Sequence, residues 1–151
     1  MTAPIRVLMI TSDWPDHASW GGTATFIPRQ VDFLRAAGVG VDVFKFRGGG
    51  KPIRYATAWL DVQRRLRRER YDLVHAQFGQ SGLLALPKHL PLVVTFRGDD
   101  LEGVLSDTTG QLTPRGRLLP LLSRVVSRRA DATIVVSAHP ARVPVKNGSI
   151  P

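Results

Sequence analysis

Apolar residues recur in two rhythms along this chain. Arg6-Val-Leu-Met-Ile-Thr11 is a nearly unbroken apolar run closed by polar residues, the pattern of a central strand buried on both faces. A loop rich in Asp, Pro and Gly follows, from Ser12 to Gly22. From Thr23 the spacing lengthens: Phe26, Ile27, Val31, Leu34 and Ala37 form the stripe of a helix that Gly38 stops. The rhythm shortens again over Val39 to Phe46, where Val41 and Val43 alternate with polar positions in a second strand.

The same alternation continues to the end of the chain. Lys51-Pro52 opens a helix with Tyr55, Trp59, Val62 and Leu66 on one stripe. Leu73 to Ala76 is a short third strand, Ser81 to Leu86 is helical, and Leu92 to Thr95 is a fourth strand. Gly98 to Gly110 is polar and aperiodic, a loop. Pro114 starts a helix that turns Leu118, Leu121, Leu122, Val125 and Val126 inward, and Ala132 to Val136 is a fifth strand. Strands alternating with helices predict an α/β fold with a Rossmann-like, doubly wound parallel sheet. Its domain spans 1–143, and the polar, Pro- and Gly-containing residues 144–151 read as the start of a linker. Ligands of such sheets sit at the carboxyl ends of the strands, so the loops after Thr11, His75, Thr95 and Val136 are the ones to inspect. The usual doubly wound order sets the loops after the first and fourth strands side by side, gathering Gly22, Arg97 and Asp99 round one cleft.

Composition narrows the chemistry. The 151 residues suit one domain, and 43% hydrophobic residues suffice for a core. With no cysteine there is no disulfide, thiolate nucleophile or Cys-ligated metal, which agrees with a reducing compartment. The first strand contains Arg6 and is too short for the apolar region of a signal peptide, and no stretch nears the ~18 apolar residues of a membrane span. A cytoplasmic location is expected. The 21 Lys and Arg outnumber the 12 Asp and Glu, giving +9, a balance that suits polyanionic partners. Arg64, Arg65, Arg67, Arg68 and Arg70 cluster on the helix face opposite Tyr55 and Val62. A solvated face is the first reading of this cluster and peripheral contact with an anionic membrane the second. Nucleic acid is not expected, because no aromatic platform interleaves the arginines.

Several short motifs bear on function. Gly21-Gly22, between the first strand and the first helix, lets the backbone approach an anion such as a diphosphate, or is a plain turn. It is not a dinucleotide fingerprint, and Gly48-Gly-Gly-Lys51 is not a phosphate loop, since Pro52 replaces the required Ser or Thr. Arg97-Gly98-Asp99-Asp100, at the ligand edge, suits sugar hydroxyls or a developing phosphate charge, against the reading of an acidic helix cap. His75 is either a site residue or a strand-end histidine satisfied by the backbone. Ser137 is by default a helix N-cap, with anion binding second. The other histidines, His17, His89 and His139, are dispersed, so no metal site is expected.

Taken in order, these segments resemble the N-terminal domain of family 4 retaining glycosyltransferases. The resemblance runs through Gly21-Gly22 and the helix to Gly38, then Tyr71-Asp-Leu-Val-His75-Ala-Gln-Phe78, Pro91-Leu-Val-Val-Thr-Phe-Arg-Gly-Asp99 and Ala130-Asp-Ala-Thr-Ile-Val-Val-Ser137. It implies one half of a GT-B fold, acting on a nucleotide-sugar donor and an acceptor without metal or other cofactor. It also implies that Gly21 and Gly22 approach the donor diphosphate, that Arg97 and Asp99 form a candidate catalytic pair, and that His75, Gly98 and Ser137 line the acceptor side of the cleft. Arg97 stands where the family often has histidine. The C-terminal donor-binding domain with its Glu-x7-Glu motif is not in the sequence, and Ser149-Ile-Pro151 resembles the start of the linker into it. The isolated chain is therefore expected to be inactive. The rival readings are another Rossmann-like enzyme, such as an epimerase, whose nucleotide fingerprint is missing here, and a non-catalytic module that docks on a separate donor-domain subunit.

Overall fold

The computed structural model describes residues 4–14, 26–49, 51–97 and 114–136. Five strands form one sheet: β1 (Arg6–Thr11), β2 (Gly40–Lys45), β3 (Leu73–Gln77), β4 (Leu92–Arg97) and β5 (Ala132–Val136). Every neighbouring pair is parallel, in the order β2-β1-β3-β4-β5. The Rossmann-like parallel sheet read from the alternating pattern is what the chain builds. One expectation is corrected: β1 and β4 are not neighbours, because β3 lies between them. The strand order reverses between β1 and β3, so the crevice of this sheet opens above those two strands.

The helices are α1 (Phe26–Ala36), α2 (Pro52–Arg68), the single turn α3 (Gly79–Gly82), continued as a 3-10 turn over Leu83–Ala85, and α4 (Pro114–Arg129). Right-handed crossovers send chains moving in opposite directions along the sheet to opposite faces. The two cores agree. Ile27 and Val31 of α1 pack with Met9 and Val41, whereas Ala58 and Val62 of α2, Leu84, and Val126 of α4 pack with Leu8, Ile10, Val74, Val94 and Phe96. Gly38, at φ 83, ends α1 with paired bonds from its own N–H to Arg35 and from Val39 to Leu34, a turn that glycine adopts without steric cost.

Helix α2 starts at Lys51 with Pro52 behind it and carries no acid in its first turn. Cations there face the positive end of the helix dipole, at a cost of about 0.3–1 kcal/mol each. Trp59, expected on the buried stripe, sits at its margin and donates its indole N–H to the Leu86 carbonyl at 2.6 Å. Gln63 is buried instead and donates to the Leu84 carbonyl at 3.0 Å.

The inward face of α4 also differs from expectation. Leu118, Leu121 and Val125 are exposed, while Ser123, Val126 and Ser127 are buried. The cause is α3, whose Gly79 and Gly82 would clash with Ser123 and Val126 if they carried a Cβ. Contact that close admits small or β-branched side chains and excludes leucine, so packing overrides hydrophobicity in setting the helix rotation.

At the amino ends of the strands, charges close on one another. Arg6 pairs with Asp42 at 2.9 Å and lies 3.7 Å from Glu69. The Tyr71 hydroxyl accepts from Arg65 Nε at 3.0 Å and lies 2.7 Å from Glu69 and 3.0 Å from Asp42, donating its one proton to one of these carboxylates at a time. Burial, and then the bond to Glu69, pushes the Tyr71 phenol above its usual range. Asp131 accepts from the Leu92 backbone and from Lys88 Nζ at 2.8 and 2.7 Å. This edge is a set of fasteners.

Candidate functional site

The carboxyl ends of β1, β3 and β4 make the opposite edge, and parallel pairing aligns them there. β1 ends at Thr11, whose buried hydroxyl donates to the Asp13 carbonyl at 2.8 Å and accepts from the Asp13 N–H at 3.1 Å. That turn carries Asp13 towards Arg97. Burial raises the Asp13 carboxyl above its usual range, opposed by the Arg97 charge.

On the α1 face of the sheet, β3 presents His75 and Gln77, and β4 presents Thr95 and Arg97. His75 Nε2 and Thr95 Oγ1 lie 2.8 Å apart. Burial, reinforced by Arg97, lowers the His75 imidazole to about 4. It is neutral at pH 7 and too weak a base to collect a proton there. Its part is to hold β3 and β4 together beneath the edge.

Gln77 stands above His75. Its amide donates to Gln30 Oε1 at 2.8 Å, tying β3 to α1, and its Oε1 accepts a long 3.5 Å contact from Arg97 Nη2. The Arg97 guanidinium carbon lies 3.7 Å above the Phe26 ring and 5.8 Å from Phe78. Cation–π attraction and the Gln77 carbonyl thus hold a permanent positive charge at the mouth of the crevice. Phe78 adopts φ 75, a conformation that costs a non-glycine residue about 1–3 kcal/mol. It is fixed by its N–H to Thr95 at 2.9 Å and by Ser81 N–H to its carbonyl at 3.1 Å. Strain at this turn keeps the ring within reach of Arg97.

Of the residues singled out in the sequence, His75 and Arg97 come together on one face of the sheet. Gly21, Gly22, Gly98, Asp99 and Ser137, and the linker 144–151, lie outside the described residues. The structure adds Asp13, Phe26, Gln30, Gln77 and Thr95. Gln77 carried a signal, a polar residue closing an apolar strand run; Phe26 was hidden because it also fits the α1 stripe. The arginine cluster divides: Arg65 is engaged by Tyr71 and Glu69 and Arg64 by Asp61, while Arg67, Arg68 and Arg70 are exposed. No described helix is long and apolar enough to cross a membrane.

Known proteins agree with this architecture. Sucrose-phosphate synthase from Thermosynechococcus elongatus superposes with a TM-score of 0.63 at 16% identity over 88% of this chain. This chain spans 42% of the length of that synthase. No curated protein sequence matches. The model of the "Glycosyl transferase 4-like domain" matches residues 5–142. The chain has a Rossmann-like parallel α/β fold and belongs to the glycosyl transferase 4-like domain family.

Proposed function

We propose that this domain is the acceptor-binding half of an enzyme that moves a sugar from a nucleotide-sugar to an acceptor with retained anomeric configuration. The observation that carries the reading is Arg97, a permanent cation held by Phe26 and Gln77 beside the β1–β3 switch point. A fixed charge there steadies negative charge developing on the donor phosphates as the sugar leaves. Gly21 and Gly22 give the diphosphate close backbone approach, Asp99 accepts a hydrogen bond from an acceptor hydroxyl, and Gly98 and Ser137 line the cleft. His75 supports this edge from below, where its pairing with Thr95 suits positioning better than proton transfer.

A second Rossmann-like body supplies the remaining donor contacts, so residues 1–151 alone do not turn over, because one half cannot position both substrates. The cysteine-free composition favours the cytoplasm as the place of work. Contact with an anionic membrane through α2 would fall to Arg67, Arg68 and Arg70, since Arg64 and Arg65 have partners within the domain. The test is transfer from a panel of UDP-, GDP- and ADP-sugars by this domain joined to a donor-binding domain, with the product anomer read by proton NMR. Retention is expected; inversion, or turnover by residues 1–151 alone, contradicts the reading.

A further inference from the structure

Helix α1 holds Arg97 through two of its residues. Phe26 and Gln30 stand four positions apart, on one side of the helix. Phe26 acts directly, its ring centre 3.7 Å from the guanidinium carbon. Gln30 acts through Gln77. Its Oε1 accepts from Gln77 Nε2 at 2.8 Å, and Gln77 Oε1 accepts in turn from Arg97 Nη2 at 3.5 Å. Gln77 is fully buried at the end of β3, with Met9 Sδ as a weak second acceptor 3.8 Å from its Nε2. Gln30 is half-buried at the margin of α1, beside the buried Ile27 and Val31.

The two contacts restrain different motions. Attraction to a ring face depends on how far the cation stands from the ring, and it leaves a guanidinium free to turn in its own plane. An acceptor lying along one N–H direction stops that turn, because the guanidinium donors form a rigid planar fork. The Gln77 oxygen is such an acceptor. A primary amide can, however, present either its oxygen or its NH2 group to the same place after a half-turn of its last bond. NH2 facing Arg97 would set donor against donor. Gln30 settles which end Arg97 meets. With the Gln30 oxygen towards it, Gln77 answers with its nitrogen, and its own oxygen is left facing Arg97. Losing that partner inside the fold would cost Gln77 about 1–3 kcal/mol, so the pairing also keeps the amide from turning away.

We propose that Gln30 is a positioning residue for sugar transfer: through Gln77 it sets the direction in which the Arg97 guanidinium presents its donors. This rests on the reading of Arg97 given above and extends the site to a side chain of α1 that needs no contact with either substrate. Direction matters because a guanidinium binds phosphate best through two parallel N–H bonds, and a turn in its plane breaks that match. A point charge on a lysine would tolerate the same turn.

The experiment compares Gln30→Met, which keeps the length of the side chain and removes the acceptor, with Gln30→Glu, which keeps an acceptor oxygen. Gln77→Met is measured alone and combined with Gln30→Met. In the domain joined to its donor half, Gln30→Met should lower kcat about tenfold and change the acceptor KM less than about twofold, while Gln30→Glu stays within about threefold of the wild type. The double variant should be no worse than Gln77→Met, because both residues act through one contact. In the chain 1–151, rotation of the Arg97 guanidinium about its Nε–Cζ bond, followed by 15N exchange NMR, should quicken at least about threefold in Gln30→Met and hold in Gln30→Glu. Additive losses in the double variant, equal losses in Gln30→Met and Gln30→Glu, or unchanged rotation in Gln30→Met overturn the proposal. A joined wild type that transfers no sugar would overturn the transferase reading instead, and the rotation rates would still decide whether Gln30 sets Arg97.

Discussion

The two edges of the sheet use similar residues to opposite ends. At the amino edge, Arg6, Asp42, Arg65, Glu69 and Tyr71 satisfy one another, and Asp131 is shared by Lys88 and the start of β4. At the carboxyl edge, Arg97 rests on an aromatic ring and a long amide contact, Phe78 is strained, and Lys51 and Arg54 sit at the wrong end of a helix for stability. The first edge spends its polar groups on holding the fold, each exposed pair adding a few tenths to about 1 kcal/mol. The second holds the Arg97 charge against Phe26 and Gln77 at the mouth of the crevice. On the proposed reading, stability and function fall at different ends of the same strands, the arrangement that parallel α/β sheets favour for binding.

This contrast can be broken most severely at Arg97. In the domain joined to its donor half, Arg97→Ala should lower kcat/KM about 100- to 1,000-fold, the range for removing one preorganised electrostatic donor. Its urea midpoint should move little, and loss of stability without loss of turnover would place Arg97 with the fasteners. The next effect is a pH dependence. His75 binds its proton at about 4 when folded, below its ordinary 6.5, so the unfolded chain takes up protons first as pH falls. Its contribution is present in full above pH 6.5 and is lost as pH falls through 4, amounting to about 3 kcal/mol at most. Denaturant unfolding of the wild type and His75→Gln over this window checks it, and parallel pH profiles would contradict it. Smaller again is Tyr71→Phe, expected to cost about 1 kcal/mol of stability with kcat/KM unchanged. The smallest effect is Arg64→Ala, an exposed pair with Asp61, which should move the urea midpoint by less than about 0.5 kcal/mol.

Periodicity carried the fold a long way because buried strands and amphipathic helices repeat at different spacings, and Arg6–Thr11 and Val31 with Leu34 show both plainly. It failed where shape decides. Leu118 and Leu121 had the right spacing for a buried stripe, yet the glycines of α3 select Ser123 and Val126. It also misplaced the neighbours of β1, since strand order depends on crossovers that no local pattern encodes. The site was partly legible: Arg97 closes an apolar run and His75 interrupts one, and polar residues so placed point to a ligand edge. Phe26 and Gln30 were not, because their part depends on α1 arriving over β3 and β4, a tertiary event. The arginine-rich helix looked uniform in sequence, and only the positions of Asp61, Glu69 and Tyr71 separate its paired arginines from its exposed ones.

The central claim is that ligands meet this domain at the carboxyl edge and leave the amino edge untouched. Backbone amide shifts of the 15N-labelled chain, followed during titration with hexoses, hexose phosphates and nucleotide-sugars, test it most directly. The account predicts perturbations concentrated at Asp13, Phe26, Gln30, Gln77, Phe78 and Arg97, with Arg6, Asp42, Glu69 and Tyr71 unmoved. Perturbations concentrated on that second group instead would contradict it.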